Sequence, residues 1–314
     1  MNTTDPIRAS GVGQRHWMQK SLSHMRLVQR IGTVAGGRVA CIHPVQVRPT
    51  GVRHTPGMSV PPMVPDLNRR LRSDDFLVGT WLTLLDPTVP ELLANGGFDL
   101  LVADGEHGPV ATADLVQMLI ATRAAQVPVL YRVAANEPVR IMHALDSGAT
   151  GVVVPQIRTV TDVERVVAWC RYPPAGLRGI APRRPSGFGR ETAGYMASAN
   201  GAVTCCVQIE THEALDALDE ILAVPGIDTI LVGPNDLAAS LGHTGRIDDP
   251  EVEQAIAHVI ERAKAHGIPA GAWTQSPAVA HRRREQGFRW VTIGADYGFI
   301  VSAADAALRD VRGG

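Results

Sequence analysis

A (β/α)8 barrel, the TIM-barrel architecture, is the fold class this sequence predicts, and three observations predict it. From about Leu71 onward, short apolar runs rich in β-branched residues alternate with longer amphipathic stretches closed by Gly or Pro. Eight such runs fall within about 245 residues, the repeat number and length of a closed barrel. The runs are almost continuously apolar, as strands of a parallel sheet buried on both faces must be. An open doubly wound sheet is the runner-up, but no G-x-G-x-x-G or Walker loop follows the first run.

The strands are expected at residues 76–82, 100–103, 129–133, 151–154, 203–209, 229–232, 270–273 and 290–293. Helical patterns lie between them, at 90–95, 113–124, 138–146, 160–170, 212–222, 251–265 and 278–286. In this architecture active-site residues sit where strands end and βα-loops begin. The polar residues cluster there. The second strand runs into Asp104-Gly105-Glu106-His107-Gly108-Pro109, the third ends at Arg132, and the fourth at Pro155-Gln156. The fifth ends at Gln208-Ile209-Glu210 and the sixth at Gly233-Pro234-Asn235-Asp236.

Composition narrows the chemistry. The 314 residues are 45% hydrophobic, enough for a substantial core, and 30 basic residues nearly balance 31 acidic ones. That balance offers no electrostatic case for nucleic acid, and no apolar run of about 18 residues suits a membrane span. Only Lys20 and Lys264 are lysines. A Schiff-base mechanism needs a lysine desolvated in a pocket, and neither is placed at a strand end. No motif points to PLP or NAD. The four cysteines, Cys41, Cys170, Cys205 and Cys206, show no CxxC spacing, and the vicinal pair reads as strand filling in a reduced, cytoplasmic protein.

Two domains are expected. Residues 1–65 hold eight basic residues and one acid, lack periodicity, and end in a Pro-rich stretch; they read as a disordered extension or a start-site artefact ahead of Met58 or Met63, in preference to an organelle transit segment. Residues 66–314 carry a net charge of −8 and form the barrel.

Glu210 and Asp236 are the candidate metal ligands. They lie 26 residues apart at the ends of consecutive strands, so a barrel sets both carboxylates over its mouth, as a hard divalent ion requires. Asp236 reads equally as a helix N-cap, and Glu210 as a solvated first-turn acid. His107, on a Gly-flanked turn beyond a buried strand, is the candidate general base, to be oriented by a neighbouring carboxylate. His212, two residues from Glu210, competes with it. Arg132 would aim a guanidinium into the mouth to hold a carboxylate or enolate, or else it snorkels at a strand end. Gly233, Pro234 and Asn235 open a helix whose N–H groups suit a substrate carboxylate. Arg183 and Arg184 lie in a Gly/Pro-rich connection between strands four and five, long enough to be a lid, and read equally as a solvated surface pair.

Taken in order, Asp104-Gly105-Glu106-His107, Arg132, Asp146-Ser147-Gly148-Ala149, Val154-Pro155-Gln156, the Arg171–Gly179 stretch RYPPAGLRG, Gln208-Ile209-Glu210-Thr211 and Gly233-Pro234-Asn235-Asp236-Leu237 resemble the motifs of the HpcH/HpaI aldolases. These are metal-dependent class II pyruvate aldolases of the 4-hydroxy-2-oxoheptanedioate and 2-dehydro-3-deoxyglucarate type. The resemblance implies a barrel of the phosphoenolpyruvate/pyruvate-binding type and a Mg²⁺, Mn²⁺ or Co²⁺ ion on Glu210 and Asp236, supported by Gln208. It implies that His107 acts as base with or through water, in a site shared with Asp104, and that Arg132 stabilises an enolate. It also implies a homo-hexamer, a dimer of trimers, with Asp146 reaching a neighbouring subunit's His107. The expected substrates are a small oxo acid and an aldehyde. Asn235 and Trp273 depart from the family's usual small and aliphatic residues and would reshape the aldehyde pocket. A citrate-lyase-like or oxaloacetate-decarboxylating enzyme on the same fold is the alternative reading, and a non-catalytic 2-oxo-acid sensor a third.

Overall fold

The computed structural model describes residues 66–313. The expectations for residues 1–65, with Lys20 and Cys41, lie outside them. Eight parallel strands, β1 (Leu77–Leu82), β2 (Leu100–Asp104), β3 (Val129–Arg132), β4 (Gly151–Val154), β5 (Thr204–Ile209), β6 (Thr229–Val232), β7 (Ala270–Thr274) and β8 (Trp290–Ala295), pair in chain order. The barrel closes where β8 pairs with β1, Leu77 opposite Trp290 and Gly79 opposite Thr292. The helices are α1 (Leu67–Leu71), α2 (Thr88–Asn95), α3 (Thr112–Ala121), α4 (Pro138–Ser147), α5 (Val160–Cys170), α6 (Thr192–Ala202), α7 (His212–Asp216), α8 (Leu218–Leu222), α9 (Pro234–Ser240), α10 (Pro250–Ala265), α11 (Pro277–Gln286) and α12 (Asp296–Arg312).

Register decides which side chains reach the inside. Trp81 pairs with Val102, Val102 with Leu130, and Asp104 with Arg132, so one parity of each strand faces inward around the ring. Near the floor this parity delivers Leu77, Leu100 and Trp290 to the interior core, while at the top it delivers polar groups. Space inside is tight: a Cβ on Gly271 would lie 2.0 Å from the Trp290 indole, which instead donates its N–H to Thr229 Oγ1 at 2.8 Å. The opposite parity packs under the helices in a larger shell that includes Cys170 and Cys205. Cys170, Cys205 and Cys206 are buried and unbridged, as strand and shell filling requires.

α1 closes the floor. Leu67 and Leu71 are buried with the barrel core, and Asn68 donates to the carbonyls of Gly201 and Val203 and accepts from Thr204 Oγ1. The sequence reading lacks α1, α6 and α12. α6 buries only Ala199 and carries no apolar stripe by which a helix is read; α12 is amphipathic, but of its residues only Asp296 is buried. The helix expected over 212–222 divides into α7 and α8 at Ala217, where the backbone leaves the helical region. The Arg183-Arg184 connection is not a lid over this chain's own mouth. It follows α5, not a strand, so it lies at the N-terminal end of the barrel, where Arg184 donates to the Ser147 carbonyl at the end of α4.

Candidate active site

The strand tops converge on a cavity of about 210 Å³ lined by Trp81, Thr83, Asp104, His107, Arg132, Gln208, Gly233, Pro234, Asn235, Asp236, Trp273 and Tyr297. Most of the candidate residues therefore meet at one place. Glu210 does not itself line the cavity but lies behind Gln208 and Gly233, which do, and Asp146 is remote: it lies near the end of α4 on the far side of the barrel, where Arg178 Nη2 holds its carboxylate at 2.7 Å.

Arg132 is 7% exposed, so the snorkelling alternative fails. It donates from Nε and Nη2 to the two oxygens of Asp104 at 2.9 and 2.8 Å, a fork that also matches the opposed register of β2 and β3. Its Nη1 lies 3.2 Å from Glu106, and its guanidinium carbon 4.2 Å from the centre of the Trp81 ring. Burial pushes the Asp104 carboxyl up. The Arg132 fork and charge, with N–H groups of Glu106 and His107, outweigh that and hold it below its ordinary value. Glu106 goes the other way, raised first by burial and further by Asp104 and Asp236.

Glu210 is 1% exposed, which removes its reading as a solvated acid. Its Oε1 accepts the Gln156 backbone N–H at 2.7 Å and the Gln156 side-chain amide at 3.3 Å, and its Oε2 accepts from Gln208 Nε2. A Cβ on Gly233 would fall 2.7 Å from that Oε2, so glycine is what leaves the carboxylate room. Gly233, not Asp236, is the N-cap of α9; Pro234 and Asn235 start the helix and Asp236 ends its first turn beside the cavity. His107 has a side chain 63% exposed, with Nε2 3.9 Å from Glu106, beyond hydrogen-bond reach. His212 turns outward to Ser240 and Glu213. Lys264 sits at the end of α10 on the Gln286 carbonyl, away from the cavity.

Among the described residues, no three His, Cys, Asp or Glu side chains form a ready-made metal cage. The donors nevertheless fit an open divalent site, since Mg²⁺ is held through one or two carboxylates with water and substrate completing its shell. Burial, then the charges of Asp236 and Glu106, raise the Glu210 carboxyl to about 7, and Gln208 Oε1 is buried without a partner. Buried negative charge beside an unpartnered acceptor oxygen is an arrangement that a divalent cation would satisfy.

Sequence reasoning assigned no role to Glu106, Gln156, Trp81, Thr83 or Tyr297. Glu106 was visible as an acid in the strand-end turn. Trp81 reads as core in any strand pattern, and Gln156 was visible as a polar strand end, while its backbone angle and its bond to Glu210 were not.

The relatives named aldolases and the lyase family model place the chain among the lyase enzymes. The chain belongs to the HpcH/HpaI aldolase/citrate lyase family, whose model matches residues 77–303. A 5-keto-4-deoxy-D-glucarate aldolase of Escherichia coli O6:H1 (strain CFT073) is 40% identical over 233 residues, 74% of this chain and 91% of that protein. An HpcH/HpaI aldolase/citrate lyase family protein from Burkholderia cenocepacia J2315 has a crystal structure matching at TM-score 0.75 and 40% identity, over 78% of this chain and 98% of that one. The citrate synthase SbnG matches at TM-score 0.72 and 30% identity, over 79% and 97% of the two chains. No described helix is long and apolar enough to cross a membrane.

Proposed function

We propose that the protein catalyses metal-dependent, reversible aldol cleavage of a 4-hydroxy-2-oxo acid to pyruvate and an aldehyde. The observation that carries this reading is a buried carboxylate, Glu210, held by two glutamines directly behind the cavity-lining Gln208 and Gly233, in a cavity that Asp236, the clamped Arg132 and the exposed His107 also line. Glu210 and Asp236 would hold a divalent cation, which when bound supplies Lewis-acid polarisation of the 2-oxo acid. His107 takes the proton of the C4 hydroxyl through a water as the C3–C4 bond breaks. The bond's electron pair passes to the pyruvate fragment, whose developing oxyanion faces Arg132, and C3 is then protonated. The remaining Arg132 donors suffice for this, since Asp104 engages only two of its five N–H groups and Glu106 makes a charge contact without a hydrogen bond. Asn235, Trp273 and Tyr297 border the aldehyde end, and a polar, hydroxylated aldehyde suits their mix of amide, indole and phenol. The relative named 5-keto-4-deoxy-D-glucarate aldolase supports the same class.

EDTA should abolish pyruvate release, and Mg²⁺, Mn²⁺ or Co²⁺ should restore it; full activity in EDTA together with borohydride trapping would overturn the mechanism. His107→Ala should lose turnover while keeping pyruvate binding, which a sensor would not distinguish from the parent. The SbnG match favours a second reading, carbon–carbon chemistry on a tricarboxylate or oxaloacetate. A panel of pyruvate with succinic semialdehyde, tartronate semialdehyde, glyceraldehyde and glycolaldehyde, run beside oxaloacetate, separates the two. The family resemblance further supports a homo-hexamer in which Asp146 serves a neighbouring subunit, because it cannot reach its own chain's mouth; light scattering tests the assembly.

A further inference from the structure

We propose that Gln156 is a positioning residue for Glu210, and that its left-handed backbone is the means. The inference rests on the reading of Glu210 as a cation ligand and names the group that aims it. Gln156 has φ 57°, one of three non-glycine residues with positive φ among those described. A residue with a side chain adopts this region at a cost and keeps it only where its surroundings impose it. Here they do. Pro155 and Ile157 on either side are buried, and the Ile157 carbonyl accepts from Thr211 Oγ1 at 3.0 Å, tying the turn to the segment just beyond Glu210.

What the turn achieves is an anchored chain beside the donor. β4 ends at Val154, two residues before Gln156. The Gln156 N–H lies 2.7 Å from Glu210 Oε1, with the side-chain amide on the same oxygen at 3.3 Å, and the left-handed φ that follows this N–H turns the chain so that Ile157 is buried and bonded through its carbonyl to Thr211. Gln208 takes the other oxygen. With both oxygens engaged the carboxyl group cannot rotate, and its remaining lone pairs have one direction. Groups that orient a ligand in this way set metal affinity nearly as strongly as the ligand itself.

The test is Mn²⁺ binding, followed by calorimetry and by the loss of the free-ion EPR signal, in full-length protein carrying Gln156→Gly, Gln156→Asn, Gln156→Ala or Gln156→Val. Gly and Asn accept the left-handed region, whereas Ala resists it and Val more so. Gln156→Val should weaken Mn²⁺ about 10-fold or more, with Ala between and Gly and Asn within about 3-fold of the parent. Thermal unfolding without metal accompanies each, and if the Val variant does not fold, the Ala and Gly pair decides. Parent-like affinity in Ala and Val, or equal weakening in all four, overturns the role of the backbone. A parent that binds no Mn²⁺, or binds it equally after Glu210→Gln, overturns the ligand reading instead.

Discussion

Arg132 is costly to bury, and its neighbours explain how it stays. Two bonds to Asp104, a contact with Glu106 and the Trp81 face together replace the water it gives up. Removing one side of such a pair strands the other. Arg132→Met should lower stability by about 3 kcal/mol in urea unfolding, because Asp104 is left buried and uncompensated. Arg132→Lys keeps a charge but not the fork, and kcat/KM should fall at least about 100-fold in a pyruvate-release assay. The same pair sets an acid limit. Asp104 titrates below its ordinary value of 3.8 in the folded state, so its contribution is present above that value and is lost as pH falls through the lower, folded pKa. The stability gap between parent and Asp104→Asn, measured by denaturant at stepped pH, should therefore shrink on acidification below about 4.

At the scale of elements, the strand tops carry the chemistry because βα-loops leave the barrel there, while αβ-connections serve the floor. That rule explains why Asp104, Arg132, Gln208 and Asp236 lie together at the strand tops and why the Arg183-Arg184 connection lies away from them. The loop after α5 is Gly/Pro-rich and basic in sequence; only its place after a helix assigns it to the floor. The junction of β6 and α9 shows how little room the top allows. Gly233→Ala sets a methyl 2.7 Å from Glu210 Oε2 and 2.8 Å from Gln208 Nε2. The carboxylate must move, so divalent-ion affinity by calorimetry should fall about 10-fold or more, with an overpacking cost of about 1–3 kcal/mol in unfolding.

Across the whole molecule, the described chain carries its own floor. A protein begun at Met63 retains α1 and should match the full chain in melting temperature and activity. One begun at Asp74 loses Leu67 and Leu71 from the barrel core, and should unfold at least about 4 kcal/mol more readily for two buried leucines. The eight-strand order was legible because each strand, buried on both faces, must be apolar throughout, and each helix between them must be amphipathic; sequence periodicity records those two facts directly. By the same logic the strand-end positions of Asp104, Arg132, Glu210 and Asp236 follow from the sequence alone. What the sequence could not decide is direction and depth. Glu106 buried against Arg132, His107 left outside hydrogen-bond reach of it, Trp81 beneath the guanidinium, and the left-handed Gln156 all depend on how distant strands are set beside one another. Those relations arise from barrel closure and inter-strand register, contacts between residues far apart in the chain that no local pattern encodes.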